Sequence, residues 1–210
     1  MNSGSRHCLA AGLLVLAVAG CSSATMKAAS PPAAMAAVPV NDADVHFMTG
    51  MIPHHAQAIL IAGWAESHDA SPEVQRLSER IVVAQRDEIQ LMQFWLREKG
   101  QPFPAADATH MRMEMNGHEH DMLMPGMLSA EELAQLDRAR GPEFDRLFLS
   151  AMIRHHEGAI SMVDQLFGSY GAAQDETVFR FASDVFADQT TEIKHMQAML
   201  DALMARTRQQ

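Results

Sequence analysis

Two histidine pairs, His54-His55 and His155-His156, stand in one repeated pattern. A methionine precedes each pair by three residues, Met51 in one case and Met152 in the other. Each pair also has a companion block further on, Gln85-x-x-Glu88-Ile89-x-x-Met92 and Gln189-x-x-Glu192-Ile193-x-x-Met196. At about 100° per residue on a helix, Met51, His54 and His55 share one face, and so do Gln85, Glu88 and Met92. Imidazole and thioether with one carboxylate make a borderline-to-soft donor set, which suits copper or silver better than magnesium or calcium. The competing reading is a polar packing layer, in which Gln and Glu satisfy core histidines and fix the register of a hairpin. Polar groups kept on a buried stripe in both copies cost stability, and this favours a role for them.

A second donor group lies between the copies. His110, Met111, Met113, Met115, His118, His120, Met122, Met124 and Met127 fall within one segment that carries Gly and Pro and has no apolar period. Methionine in a core is common filler, but residues 101–127 read as a loop with no stripe to bury. Met-x-Met spacing lets neighbouring sulfurs converge on a soft ion such as Cu(I) or Ag(I). A flexible linker or an adaptable apolar surface is the alternative.

The elements that must position these residues come from a duplication. Asp44-x-x-Phe47-Met48-x-x-Met51-Ile52-x-His54-His55-x-x-Ala58-Ile59 returns 101 residues later from Asp145 to Ile160, and the Gln-x-x-Glu blocks return at 104. Both blocks have helical period. Ser71-Pro72 opens one helix and Gly100 closes it; Gly141-Pro142 opens another, broken between Gly168 and Gly171, and Asp175 caps the next. Ser129 with Glu132 forms a capping box for a short helix to about Ala139. His55 lies fourteen residues before Asp69, and Gln85 fourteen after Ser71. At about 1.5 Å per residue both stand roughly 21 Å from the turn, facing each other. The same count relates His156 to Gln189 through the break near Gly171. The expected architecture is all-α, an up-down four-helix bundle from two duplicated hairpins, with a Met/His-rich loop and a short helix between them. Repeat one spans about 42–100, the connector 101–141 and repeat two about 142–207. Pro53, where the second copy has Arg154, is expected to kink its helix. His46 and His68 lack partners in the other copy and read as surface residues.

Residues 1–20 have the polar start, short apolar run and small residues before Cys21 that resemble a bacterial lipoprotein signal. That resemblance implies cleavage before Cys21 and lipidation of its thiol. Residues 21–41, rich in Ala, Ser and Pro, read as a flexible tether of roughly 25 Å reach. Cys8 leaves with the signal, so the folded part has neither thiol nor disulfide for metal chemistry. The chain has a formal net charge of −10, and losing the signal makes it one unit more negative. An acidic surface argues against nucleic acid and gives no help in binding anionic lipid.

The pieces MIPHHAQAI, MIRHHEGAI, MPGM and the Gln-x-x-Glu-Ile-x-x-Met blocks resemble the domain of unknown function 305 family over about residues 42–205. The resemblance implies a ferritin-like four-helix fold in an exported bacterial protein, some members binding copper or silver in connection with metal resistance. By motif it carries ligand roles onto Met51, His54, His55, Met152, His155 and His156. The resulting expectation is an envelope lipoprotein that sequesters or hands on copper or silver, without turnover and without an organic cofactor. It would face the periplasm or the exterior, touch membrane through its lipid alone, and work with copper-handling envelope proteins. Two rivals remain. A ferritin-like di-metal oxidase needs a Glu-x-x-His on each of two helices, and this chain has Glu192-x-x-His195 against Glu88-x-x-Leu91. A non-catalytic helical envelope-stress or interaction protein would hold no metal at all.

Overall fold

The computed structural model describes residues 40–115 and 118–208, and for 112–115 and 118–121 the backbone only. The signal segment, Cys21 and all but the end of the tether lie outside the described residues. The order is α1 (Asp42–Ala62), α2 (Pro72–Glu98), β1 (Met111–Met115), β2 (His118–Met122), α3 (Ala130–Arg138), α4 (Gly141–Gly168) and α5 (Glu176–Thr207). The start signals act as read. Ser71 accepts a hydrogen bond from Val74 N, Asp175 from Thr177 N and Val178 N, and both halves of the Ser129–Glu132 capping box form. Helix α1 continues through Pro53 as a single element.

The duplication packs as two hairpins, α1 against α2 and α4 against α5, joined mainly through α1 and α4. Two buried aspartates at matching repeat positions tie each hairpin to the other's turn. Asp44 accepts from Ala173 N at 2.6 Å, and Asp145 accepts from Ser71 N at 3.1 Å. Each carboxylate so satisfies a backbone donor at the opposite hairpin's reversal, next to the left-handed residues Ala173 and Asp69.

The apolar core falls into two clusters. The first takes Phe47, Met48, Met51 and Ile52 from α1, Ile89, Met92, Trp95 and Leu96 from α2, Met162 and Leu166 from α4, and Val178 to Val185 from α5. The second takes Ala58 and Ile61, then Val74, Leu77 and Ile81, then Phe144, Phe148 and Met152, with Met196. Along every long helix the membership changes at or just after the polar positions: 54–55, 85–88, 155–156 and 189–192. The eight polar groups therefore form one layer between two apolar blocks, at the height the residue count from the turns gives.

Two expectations need correction. The connector is not all loop: residues 111–115 and 118–122 pair as an antiparallel hairpin, with Met111 opposite Met122, Met113 opposite His120 and Met115 opposite His118. The reason is in the sequence, where soft residues alternate with polar ones at period two around Asn116-Gly117, the dipeptide favoured in two-residue hairpin turns. His68 is buried, not superficial. Its ring lies against Trp64 and Phe144, with Nε2 donating to Asp137 O at 2.9 Å and Nδ1 bonded to Ser67 Oγ at 2.9 Å. It locks the α1–α2 turn to the end of α3. His46 is exposed as expected.

Candidate metal centre

The four histidines of the layer are wholly buried, each at 0% exposure. His54 and His155 meet across the bundle axis with ring centroids 3.8 Å apart. His55 and His156 point outward, each to the glutamate of its own hairpin. His55 Nε2 lies 2.6 Å from Glu88 Oε2, and His156 Nε2 lies 2.7 Å from Glu192 Oε2. Both glutamates are about a quarter exposed, so each links a buried ring to solvent.

The hydrogen bonds decide which ring nitrogen is free. A carboxylate or carbonyl oxygen can only accept, so Nε2 of His55 and Nε2 of His156 each carry a proton. Nε2 of His54 likewise donates to Pro125 O at 3.0 Å. The Nδ1 atoms of His54, His55 and His156 are left without a hydrogen-bond partner in the protein, as are both ring nitrogens of His155 and the Oε1 atoms of Gln85 and Gln189. Each unpaired buried group costs about 1–3 kcal/mol. An imidazole whose far N–H is held by carboxylate or carbonyl while the near lone pair stays open is the arrangement that orients ligands in metal sites.

Burial, followed by the charge of His55, pushes His54 down to about 3, and burial together with His54 holds His155 well below the usual imidazole range. Both rings are consequently neutral at physiological pH, with lone pairs available. Outside the layer, Asp188 is raised by burial and by its neighbours Glu88, Asp184 and Glu192, which marks negative charge gathered where α2 and α5 flank the layer.

The other expected donors are distributed unevenly. Met51 and Met92 lie in the first apolar cluster, and Met152 and Met196 in the second, all at 0% exposure. Each methionine pair flanks the layer at a different height, and the structure does not gather the four at one point. Met111 packs against the first cluster, His110 is half-buried and Met122 is exposed at the hairpin's end. Met113, Met115, His118 and His120 are placed by backbone register alone. Met124 and Met127 are buried, and Met127 Sδ accepts from Met124 N at 3.2 Å. Among the described residues no three His, Asp or Glu side chains converge as they stand on a metal-sized point. Glu192-x-x-His195 does not act as a unit, since Glu192 turns in to His156 while His195 is exposed.

Sequence reading missed what seats the connector over the layer. Gln57 clamps Leu128 on both sides, accepting from Leu128 N at 2.7 Å and donating to Leu128 O at 3.0 Å. At the matching position of the second copy stands Gly158, whose missing side chain admits the backbone of Pro125 and Gly126. The signal was present as the Gln57-for-Gly158 difference between MIPHHAQAI and MIRHHEGAI.

A buried paired-histidine layer inside a duplicated four-helix bundle defines a distinct class of all-helical domain. The chain belongs to the family described as domain of unknown function (DUF305), whose model matches residues 44–200. A DUF305 fragment from Deinococcus radiodurans is similar at 27% identity, over 78% of this chain and 99% of that one, with a TM-score of 0.64. A putative secreted DUF305 protein from Streptomyces coelicolor gives 25% identity, 77% and 93% coverage, and 0.63. CopM in its Cu(I)-bound form gives 28% identity, 76% and 96% coverage, and 0.57. CopM is also known in Cu(II)-bound and Ag-bound forms. A local match to the uncharacterized protein L153 of Acanthamoeba polyphaga mimivirus, 34% identical over 56 residues, spans 27% of this chain and 37% of that protein.

Proposed function

We propose that this protein binds copper or silver in the bacterial cell envelope, to sequester the ion or hand it on. The observation that carries the reading is the layer itself: three buried histidines whose far nitrogens are held by Glu88, Glu192 and Pro125, with the near nitrogens open. Such rings are oriented for an ion and are poorly explained as packing, because packing would satisfy both nitrogens. Since among the described residues no three His, Asp or Glu groups converge, an ion held here takes mixed donors, imidazole from the layer with thioether from Met51, Met92, Met152 or Met196. That mixture favours Cu(I) and Ag(I). The solved relatives support the same ions, as CopM is known in Cu(I)-, Cu(II)- and Ag-bound forms. The methionines and histidines of the 111–122 segment add a second, thioether-rich donor group.

Export and anchoring through a lipid on Cys21 complete the reading, both supported by the sequence before that residue, and export also by the relative described as a putative secreted protein. Among the described residues no helix is long and apolar enough to cross a membrane. The test is a side-by-side titration of the purified full chain with Cu(I), Ag(I), Cu(II) and Zn(II). Preferred uptake of the monovalent ions, reduced in His55→Ala/His156→Ala, is the expected result. Equal uptake by that variant would return the histidines to a packing role.

A further inference from the structure

A cavity of about 110 Å³ opens between α1 and α4, away from the histidine layer, and its wall includes His46, Met124 and Met162. Gly50 makes room for it. This glycine lies one turn after His46 on the same face of α1. A Cβ there would stand 2.6 Å from Met124 Cε, 3.4 Å from Met124 Sδ and 3.5 Å from Met162 Cε. Two thioether arms thus meet over a helix-interior glycine that costs about 1 kcal/mol relative to alanine.

The duplication supplies an internal comparison. At the matching positions of the other copy His46 becomes Leu147, Gly50 becomes Ala151, and Met162 corresponds to Ile61. A cavity of about 150 Å³ beside Leu147 and Ala151 is lined by Leu128 and Leu136 and has no sulfur or imidazole on its wall. Where the repeat puts leucine, alanine and isoleucine, this side has histidine, glycine and methionine. Bundle packing does not require that exchange, since the partner half packs without it.

We propose that His46, Met124 and Met162 form a separate, solvent-facing site for a single soft monovalent cation, Ag(I) or Cu(I). Two uncharged thioethers and one imidazole match such an ion and are poor donors for hard cations. Both methionines are nearly buried while His46 is exposed, so the imidazole closes the site from the solvent side. Met127 is no substitute, because its sulfur is engaged by Met124 N. The proposal rests on the soft-metal reading above but uses none of the layer's residues.

The test is Ag(I) titration of the full chain carrying 13C-labelled methionine methyls and 15N-labelled imidazoles. In the wild type the Met124 and Met162 methyl signals and the His46 ring signals should move together and saturate at the same added Ag(I). His46→Ala/Met162→Leu should bind one Ag(I) fewer per chain with unchanged helicity, and His55→Ala/His156→Ala should keep this site. Gly50→Ala, which displaces Met124, should weaken it by about 10- to 100-fold. Wild-type Ag(I) stoichiometry in His46→Ala/Met162→Leu, or Ag(I) uptake that leaves these three residues' signals unmoved, overturns the site and leaves the layer reading intact. No Ag(I) uptake by the wild type overturns both.

Discussion

Gly158→Ala is the substitution whose consequence follows most directly from the packing. The added Cβ would collide with the Pro125 carbonyl group and stand 2.8 Å from Gly126 Cα. These are backbone atoms of a segment pinned at both ends, so no rotamer change relieves the clash. The segment from Met124 to Leu128 must lift from α4. Lifting breaks the His54–Pro125 bond and the two Gln57–Leu128 bonds, together about 3 kcal/mol at about 1 kcal/mol each. It also uncovers part of Met124 and Met127, at about 1.5–3 kcal/mol for each side chain fully exposed. Alanine's helix preference returns about 1 kcal/mol. The net cost is about 2–4 kcal/mol, or a fall in Tm of roughly 5–15 °C for a domain of this size. Thermal unfolding followed by circular dichroism measures it. Gly168→Ala is the control, since a Cβ there meets nothing within 4 Å and should leave Tm unchanged or slightly raised. A Gly158→Ala Tm within about 2 °C of wild type would show that the connector does not rest on α4 as described.

Burial holds His54 and His155 below the ordinary imidazole value, so the unfolded chain takes up their protons first. Their contribution is whole above about pH 6.5 and is lost as pH falls below it, so His54→Gln/His155→Gln should flatten the stability–pH slope between pH 6 and 4 by up to about 3 kcal/mol per pH unit. Parallel denaturation slopes in the two proteins would refute this. Because both apolar clusters draw most of their members from the helices, the purified chain in chelator should keep its full helical circular dichroism signal; a coil spectrum rescued only by metal would place the ion in the folding core. Cys21→Ser should move the protein from the membrane to the soluble envelope fraction on cell fractionation, and a wild type already soluble there would remove the anchor.

The fold was legible because duplication doubled every signal. Caps at Ser71, Ser129 and Asp175 mark helix starts by chemistry local to a few residues, and the matched fourteen-residue counts set His55 against Gln85 and Glu88. What stayed hidden depended on contacts distant in sequence. Asp44 and Asp145 were visible as a repeated pair, but their bonds to Ala173 and Ser71 cross between hairpins. His68 looked superficial because its partners, Trp64, Asp137 and Phe144, come from three separate elements. The β hairpin is hidden for a different reason: its five-residue strands alternate at period two inside a segment that Gly and Pro otherwise mark as loop. Within the candidate site the pairing of His55 with Glu88 and of His156 with Glu192 followed from spacing, whereas the stacking of His54 on His155 needs the relation between the two hairpins.

The central claim, that the buried layer presents open imidazole nitrogens to a soft ion, is tested most directly at those nitrogens. Side-chain 15N spectra of the full chain, recorded before and after stoichiometric Ag(I), should show His55 and His156 protonated on Nε2 in both states. Their Nδ1 resonances should shift on addition of the ion. Nδ1 lines that stay fixed while Ag(I) saturates the protein would contradict the claim and make the four histidines a packing layer.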